Sequence, residues 1–480
     1  MPEPVSMREA GGLPAEERLT RATVAIAHTS EKHRSYETIY ALAERALNHL
    51  GGMREFVKPG QTVLIKPNVT VFYTAEEGCT TDPYLVAAVA RMAKEAGAAR
   101  VMVGESSGGT FNSIRNMKTV GIAAAAEHEG AELVDLGSEH TPNRRLGIEY
   151  GKVLREAILP APLLDADVII DMPKAKNHEH TKITGALKNW VGVVNQQWRQ
   201  QNHGWKDTAA RFMDIMTVAR PHLCVADAII CGEGDGPIAN LPHWAGCVIA
   251  STDPVATDVT IARLLGHDIL NSDYINEAAE RGIGVKDRID YVGDPLEIAS
   301  FQAWHNHADF SYFPVNFLVG NGVTMEGTVG HVKSALDSMV RRGELNEVIW
   351  LNGTPTIMIG EIDDPHFEEH LRQGPYLVFD DAAKPQYKND PRVFFVPGHP
   401  VLRTAMPSLM VGLSARIPGN AILQWQQFQR WGMSNMKYGT PARRALTVAQ
   451  TVAAAAALAG AGVLLANGAR KFARWLFWAD

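Results

Sequence analysis

The densest run of chemistry-bearing side chains is Pro173-Lys174-Ala175-Lys176-Asn177-His178-Glu179-His180-Thr181, with Thr184, Lys188 and Asn189 close behind. In an extended segment Lys174, Lys176, His178 and His180 recur with the two-residue period of a strand, which puts all four on one face. Such a face suits a carboxylate or phosphate. A lysine held among other cations also loses its proton more readily, so Lys174, Lys176 and Lys188 are candidates for a base or nucleophile. His178 and His180 offer a further option, a metal pair completed by a carboxylate from elsewhere, although nearby lysines disfavour a cation. Residue types alone do not choose between anion recognition, acid–base work, metal binding and ordinary surface polarity.

Three other places carry candidates. Lys66 and Asn68 flank a proline, where a turn could aim an ammonium and an amide into a cleft or simply end a strand. Glu105-Ser106-Ser107-Gly108-Gly109 follows a strand and precedes a helix, so its hydroxyls and backbone N–H groups could hold an anion or only cap that helix. Gly232-Glu233-Gly234-Asp235-Gly236-Pro237 lacks the GxGxxG spacing of a dinucleotide loop. Its carboxylates, with Asp227 upstream, could instead bind a divalent metal or act as acid and base, the alternative being a solvated tight turn. Asp253 before Pro254 reads as a helix cap. Asp258 shares a helical stripe with Val255, Ala262 and Leu265, and a carboxylate on an apolar face needs a partner, for which a site lysine or a cation is the expected one.

The elements that must position these groups alternate. Apolar runs at Thr23–Ala27, Thr62–Lys66, Arg100–Gly104, Val168–Asp171, Leu223–Ile230 and Gly246–Ala250 read as strands, and Ile39, Leu42, Ala43, Ala46, Leu47 and Leu50 recur at helical spacing. Asp82, Pro83 and Gly97 mark the start and stop of another helix. The pattern predicts an α/β fold, a doubly wound, mainly parallel sheet domain over 20–300 after a flexible stretch 1–19. Ligands in such sheets gather beyond the carboxyl ends of strands, here the loops after Lys66, Gly104, Asp171 and Ile230. An aromatic stretch from Trp304 to Phe313 leads into further α/β signals at Glu347–Leu351, Thr356–Gly360, Tyr376–Phe379 and Arg392–Val396, which predict a second, smaller α/β domain over 301–440.

The tail, 441–480, differs in kind. From Ala445 to Ala469 no charged residue occurs, and basic residues flank both ends. About 20 such residues span a bilayer core. Trp475, Phe477 and Trp478 add an interfacial aromatic signature, so a C-terminal hydrophobic helix anchoring the chain to a membrane, with a membrane complex as partner, is expected over an alanine-rich helix packed on the protein.

The net charge of −7 without long single-sign runs argues against nucleic acid as a partner. The four cysteines (Cys79, Cys224, Cys231, Cys247) form no CxxC pair, so no disulfide framework or thiolate cluster is expected and a reducing compartment fits. The polar N-terminus lacks a secretory signal's apolar core, which places the main body in the cytoplasm.

Four motifs in order carry a resemblance: Val63-Leu64-Ile65-Lys66-Pro67-Asn68, Pro173 to His178, Thr184-Gly185-Ala186-Leu187-Lys188-Asn189, and Thr252-Asp253-Pro254-Val255-Ala256-Thr257-Asp258. Together they resemble the domain-of-unknown-function 362 family from about residue 60 to about residue 265. That family is often linked to iron–sulfur proteins, but a ferredoxin CxxCxxC run is missing here, so no built-in cluster is expected. Beyond residue 300 the chain is more faintly similar to the C-terminal part of nickel-dependent lactate racemases. There a turn that often carries cysteine has His399 instead. The combined expectation is an enzyme-like protein in which Lys66, Asn68, Ser106, Ser107, Lys174, Lys176, His178, His180, Thr184, Lys188, Asn189 and Gly234 bind a small anionic molecule. Lys176, His178 and Lys188 would also be catalytic, and Glu233 and Asp258 would supply acid–base or metal-binding oxygens. A non-catalytic, membrane-anchored accessory protein of a redox or assembly system, and a metal-dependent enzyme centred on His178 and His180, are the alternatives.

Overall fold

The structure is a computed structural model, and it describes residues 13–108, 112–178, 181–196, 198–199, 207–303, 313–321, 327–341, 343–396 and 413. His180, His399, the aromatic residues from Trp304 to Tyr312 and the tail 441–480 lie outside the described residues. The chain divides into two compact units, Met1–Asn306 and His307–Asp480.

In the first unit the strands are β1 (Ala22–His28), β2 (Thr62–Pro67), β3 (Arg100–Glu105), β4 (Glu132–Asp135), β5 (Asn143–Gly147), β6 (Glu156–Pro160), β7 (Val168–Met172), β8 (Lys174–His178), β9 (Lys182–Thr184), β10 (Leu223–Asp235), β11 (Ala239–Ser251) and β12 (Ile289–Gly293). The main sheet runs β12-β1-β11-β10-β7-β2-β3-β4, with β8 and β9 attached beside β10, while β5 and β6 form a separate pair. Every neighbour along the main path is parallel except β11, which is antiparallel to both β1 and β10.

The central strands β2 and β7 lack a polar face because both faces are covered. Along β2, Leu64 joins one core while Val63 and Ile65 join the other; along β7, Ile169 faces the first and Val168, Ile170 and Met172 the second. The predicted helices form where their caps allow. Ser35 accepts from Thr38 N–H to start Tyr36–Asn48, whose Ile39, Leu42, Ala43, Ala46 and Leu47 are buried. Asp82 accepts from Tyr84 N–H to start Pro83–Glu95, and Asp253 accepts from Val255 and Ala256 N–H to start Pro254–Leu264. Capping of this kind is worth about 1 kcal/mol.

Two expectations need correcting. The strand expected to end at Ile230 continues to Asp235 and pairs along its length with β11, so the glycine-rich stretch is mostly strand and not a loop. Its glycines answer to crowding: a Cβ on Gly232 would stand 2.4 Å from Gly78 O and 2.7 Å from Lys176 Cβ, and Gly234 has a φ of 83°. Part of the stretch expected to be flexible is also held. Leu13 is buried and its N–H reaches Arg281 O at 2.9 Å, because the first unit's core offers it an apolar seat.

Among its described residues the second unit has four parallel strands in the order β13 (Asn316–Val319), β14 (Thr356–Ile359), β15 (Tyr376–Phe379) and β16 (Phe394–Val396). The apolar residues at Glu347–Leu351 belong to the helix Glu344–Asn352. Among the described residues no helix is long and apolar enough to cross a membrane.

Candidate functional site

The carboxyl ends of β2, β3 and β7 deliver Lys66, Glu105 and Asp171 to one place, and the short helix Ala186–Asn189 brings Asn189 to meet them. Lys66 Nζ donates to Glu105 Oε2, Asn189 Oδ1 (each 2.8 Å) and Pro67 O (2.9 Å), so all three ammonium hydrogens have acceptors. Glu105 also accepts from Val69 N–H at 3.2 Å and, through Oε1, from Ser106 N–H at 2.7 Å. Asn189 Nδ2 donates to Asp171 Oδ1 at 2.7 Å, and Asn68 Nδ2 donates to Asn189 Oδ1 at 3.2 Å. Lys66, Glu105, Asp171 and Asn189 are all buried, and Asn68 is the half-buried rim of the network.

Burial dominates the electrostatics. It pushes the Asp171 carboxyl well above the usual carboxylate range, against the pull of Lys66 and of the Asn189 hydrogen bond. It raises the Glu105 carboxyl too, opposed first by Lys66. Asp171 Oδ2 is fully buried and, among the described residues, has no hydrogen-bond partner. Gly192 makes the close packing possible, since a Cβ there would stand 2.1 Å from Glu105 Oε1 and 2.7 Å from Lys66 Nζ.

The run Lys174 to His178 is a strand, as its period of two implies, but all five residues are buried. Lys174 Nζ meets Asp227 Oδ2 at 2.8 Å with both side chains wholly buried. Asp227 is further engaged by Asp82 N–H at 2.7 Å and Ile229 N–H at 3.0 Å. Lys176 Nζ donates to Cys79 O (2.5 Å), Thr70 Oγ1 (2.6 Å) and Pro237 O (3.2 Å). The expectation of a cationic face offered to a ligand is therefore corrected: Asp227 encloses Lys174, Thr70, Cys79 and Pro237 enclose Lys176, and a buried ammonium takes whatever acceptors surround it. His178 is buried as well. Asn177 bridges Gly234 O at 2.9 Å and His267 Nε2 at 2.6 Å.

Asp258 is a second correction. Among the described residues its hydrogen-bond partners are backbone N–H groups, Ala186 at 2.5 Å and Leu187 at 3.2 Å, and not a lysine. The reason is contact: a Cβ on Gly185 would stand 2.1 Å from Asp258 Oδ1, so only glycine lets the acid reach the start of the helix that carries Lys188 and Asn189. Burial pushes the Asp258 carboxyl up to about 7 despite those two hydrogen bonds.

Of the remaining candidates, Ser107 Oγ donates to Val69 O at 2.9 Å, while Ser106 Oγ and Thr184 Oγ1 are buried without hydrogen-bond partners among the described residues. Lys188 is half-buried beside Asn189. Glu233 lies 3.8 Å from His243 Nδ1 on the neighbouring strand, apart from the Lys66 network. Among the described residues no group of three or more His, Cys, Asp or Glu could hold a metal ion. The four cysteines are buried free thiols.

Sequence reasoning missed two members. Asp171 was read only as a strand end, although an acid closing an all-apolar strand signals a buried partner. Arg199, within a run of glutamines, gave no signal. It is buried, donates to the carbonyls of Ser106 and Ser107, and thereby clamps the loop after β3.

Residues 63–263 match the family described as Domain of unknown function (DUF362). The thylakoid-associated protein sll1697 of Synechocystis sp. is 32% identical over 247 residues, covering 49% of this chain and 74% of that protein. The structure of the lactate racemase apoprotein from Thermoanaerobacterium thermosaccharolyticum aligns with a TM-score of 0.37 and 11% identity, covering 85% of this chain and 92% of that one.

Proposed function

The chain belongs to the family described as Domain of unknown function (DUF362), and from that footing we propose that its first unit binds a small anionic molecule at the carboxyl edge of β2, β3 and β7 and exchanges a proton with it. The observation that carries this reading is Asp171 Oδ2, a buried carboxyl oxygen with no hydrogen-bond partner among the described residues, on an acid whose other oxygen is held by Asn189. An orphan of that kind costs roughly 1–3 kcal/mol unless another group meets it. A carboxyl kept neutral by burial can donate a hydrogen bond to an anion and pass it a proton. Lys66 and Glu105 hold the surrounding charge in place, Asn189 orients Asp171, and the half-buried Asn68 and Lys188 form the approach.

Thermal-shift screening of the full chain with phosphates, nucleotides and carboxylates tests this. At least one anion should raise the melting temperature of the wild type, and Asp171→Asn and Lys188→Ala should each diminish that rise while remaining folded. Anions that leave the wild type unmoved, or a shift untouched by both substitutions, would refute it.

A second reading, attachment to a membrane in support of a redox or assembly complex, is favoured by the charge-free stretch Ala445–Ala469 and by the thylakoid association in the relative's name. Membrane fractionation of the full chain against one lacking 441–480 tests it, and identical soluble partitioning of both would remove it.

A further inference from the structure

We infer that His366 and His370 of the second unit form a binding site for a divalent transition metal of the zinc and copper class, an assignment independent of the anion reading of the first unit. Both lie between β14 and β15, His366 just ahead of the short helix Phe367–Gln373 and His370 within it. Residues four apart meet on one side of a helix. Their ring centres are 6.0 Å apart. Two imidazoles that share one metal, each with a metal–nitrogen distance of about 2.1 Å, have ring centres roughly 5–6 Å apart. The His366 side chain is 67% exposed and free to turn by the little that remains, so the backbone need not move.

The pair has a built support. Asp364, whose side chain is wholly buried, holds both histidines: Oδ1 accepts from the His366 backbone N–H at 2.9 Å, and Oδ2 faces His370 Nδ1 at 2.8 Å. Asp364 is itself fixed from two sides. The Tyr376 hydroxyl donates to Oδ2 at 2.8 Å, and the Asp364 N–H donates to the Tyr387 hydroxyl at 2.7 Å. Phe367 packs edge-on against both tyrosines, with ring centres 5.0 and 5.1 Å away. A carboxylate only accepts, so Nδ1 of a neutral His370 carries the hydrogen and Nε2 presents the lone pair. A histidine steered through one nitrogen by a carboxylate, with the other nitrogen left for a ligand, is the arrangement by which proteins orient an imidazole toward a metal.

The donor type selects the metal. Imidazole suits zinc and copper, whereas magnesium and calcium demand oxygen ligands. Glu369, whose Oε2 lies 3.7 Å from His366 Nδ1, completes a His-x-x-Glu-His spacing, in which two histidine ligands flank an acid. Two nitrogens come from the chain, so the remaining positions of a tetrahedral centre belong to water or to an oxygen of a substrate.

Titration of the full chain, free of any affinity tag, with zinc chloride against a chromophoric chelator tests the inference, with magnesium chloride as control. The wild type should bind a zinc ion that His366→Ala and His370→Ala each lose, and magnesium should not displace it. Asp364→Asn keeps both ligands but releases the His370 ring, and should weaken that zinc on the order of tenfold. Copper(II) bound to the wild type should show electron-spin-resonance coupling to two imidazole nitrogens, and to fewer in His366→Ala. Zinc affinity and stoichiometry unchanged by His366→Ala overturn the assignment, because another group then holds the metal; so does a wild type that binds no zinc, or that binds magnesium equally well. Should His370→Ala or Asp364→Asn unfold, His366→Ala still decides, since removing an exposed ring leaves the core of the second unit intact.

Discussion

Replacing Asp258 by asparagine should change how stability depends on pH more than it changes stability at any one pH. The Asp258 carboxyl is pushed from 3.8 up to about 7 by burial, which the hydrogen bonds from Ala186 and Leu187 only partly offset. Between those two values the folded chain holds a proton that the unfolded chain has released. Stability from this group is therefore full below about pH 4 and falls as pH rises toward 7, by about 1.4 kcal/mol per pH unit, or about 4 kcal/mol in all. Asparagine cannot titrate. It keeps one acceptor for the helix start but turns an amide donor toward the other N–H, a fixed cost of roughly 1–3 kcal/mol. The variant should thus be the less stable protein at pH 4.5 and equal or exceed the wild type at pH 8. Asp253, which burial pushes up to about 6, is present in both and cancels. Scanning calorimetry of the two full chains from pH 4.5 to 8 provides the measurement, and at roughly 2 °C per kcal/mol the difference between their melting temperatures should swing by about 6–8 °C. Parallel curves would show that Asp258 does not titrate in this range and would refute the reasoning.

Three other outcomes follow from the same geometry. Gly192→Ala should lower the melting temperature of the first unit by several degrees, because the added methyl would stand 2.1 Å from Glu105 Oε1; an unchanged melt would contradict the packing of that network. Lys174→Met should cost about 3–5 kcal/mol by leaving Asp227 buried and unpaired, and adding Asp227→Leu should recover much of it; additive losses in denaturant unfolding would deny the pair. The native protein should leave all four thiols unreactive toward a disulfide reagent at pH 8 until denaturant is added, since all are buried and burial pushes Cys247 up to about 12 and Cys224 and Cys231 well above the usual thiol value; rapid labelling of any one would contradict its placement.

Much of the scaffold was legible. β1, β2, β3 and β7 lie within one residue at either end of the apolar runs that announce them, and the caps at Asp82 and Asp253 form as their following prolines signal. The four motifs point to the family that the relatives bear out. The direction of β11 was not legible, because an apolar run has the same composition whether its neighbour is parallel or antiparallel. At the candidate site, Lys66, Asn68 and Asn189 meet beyond the end of β2, but the sequence gives no sign of which groups they bond to.

The sequence by itself determined the local order: where strands and helices form, where they stop, and which segments hold polar chemistry. Those follow from side-chain periodicity and capping within a few residues. Only the tertiary structure decided what each charge meets. Lys66 finds Glu105 39 residues away and Asn189 123 away, Lys174 finds Asp227 53 away, and Asp258 reaches back 72 residues to the Ala186 N–H. Once burial removes water, each charged group is governed by whichever groups the sheet register places against it, and that register is set by the packing of two cores, which local sequence does not encode.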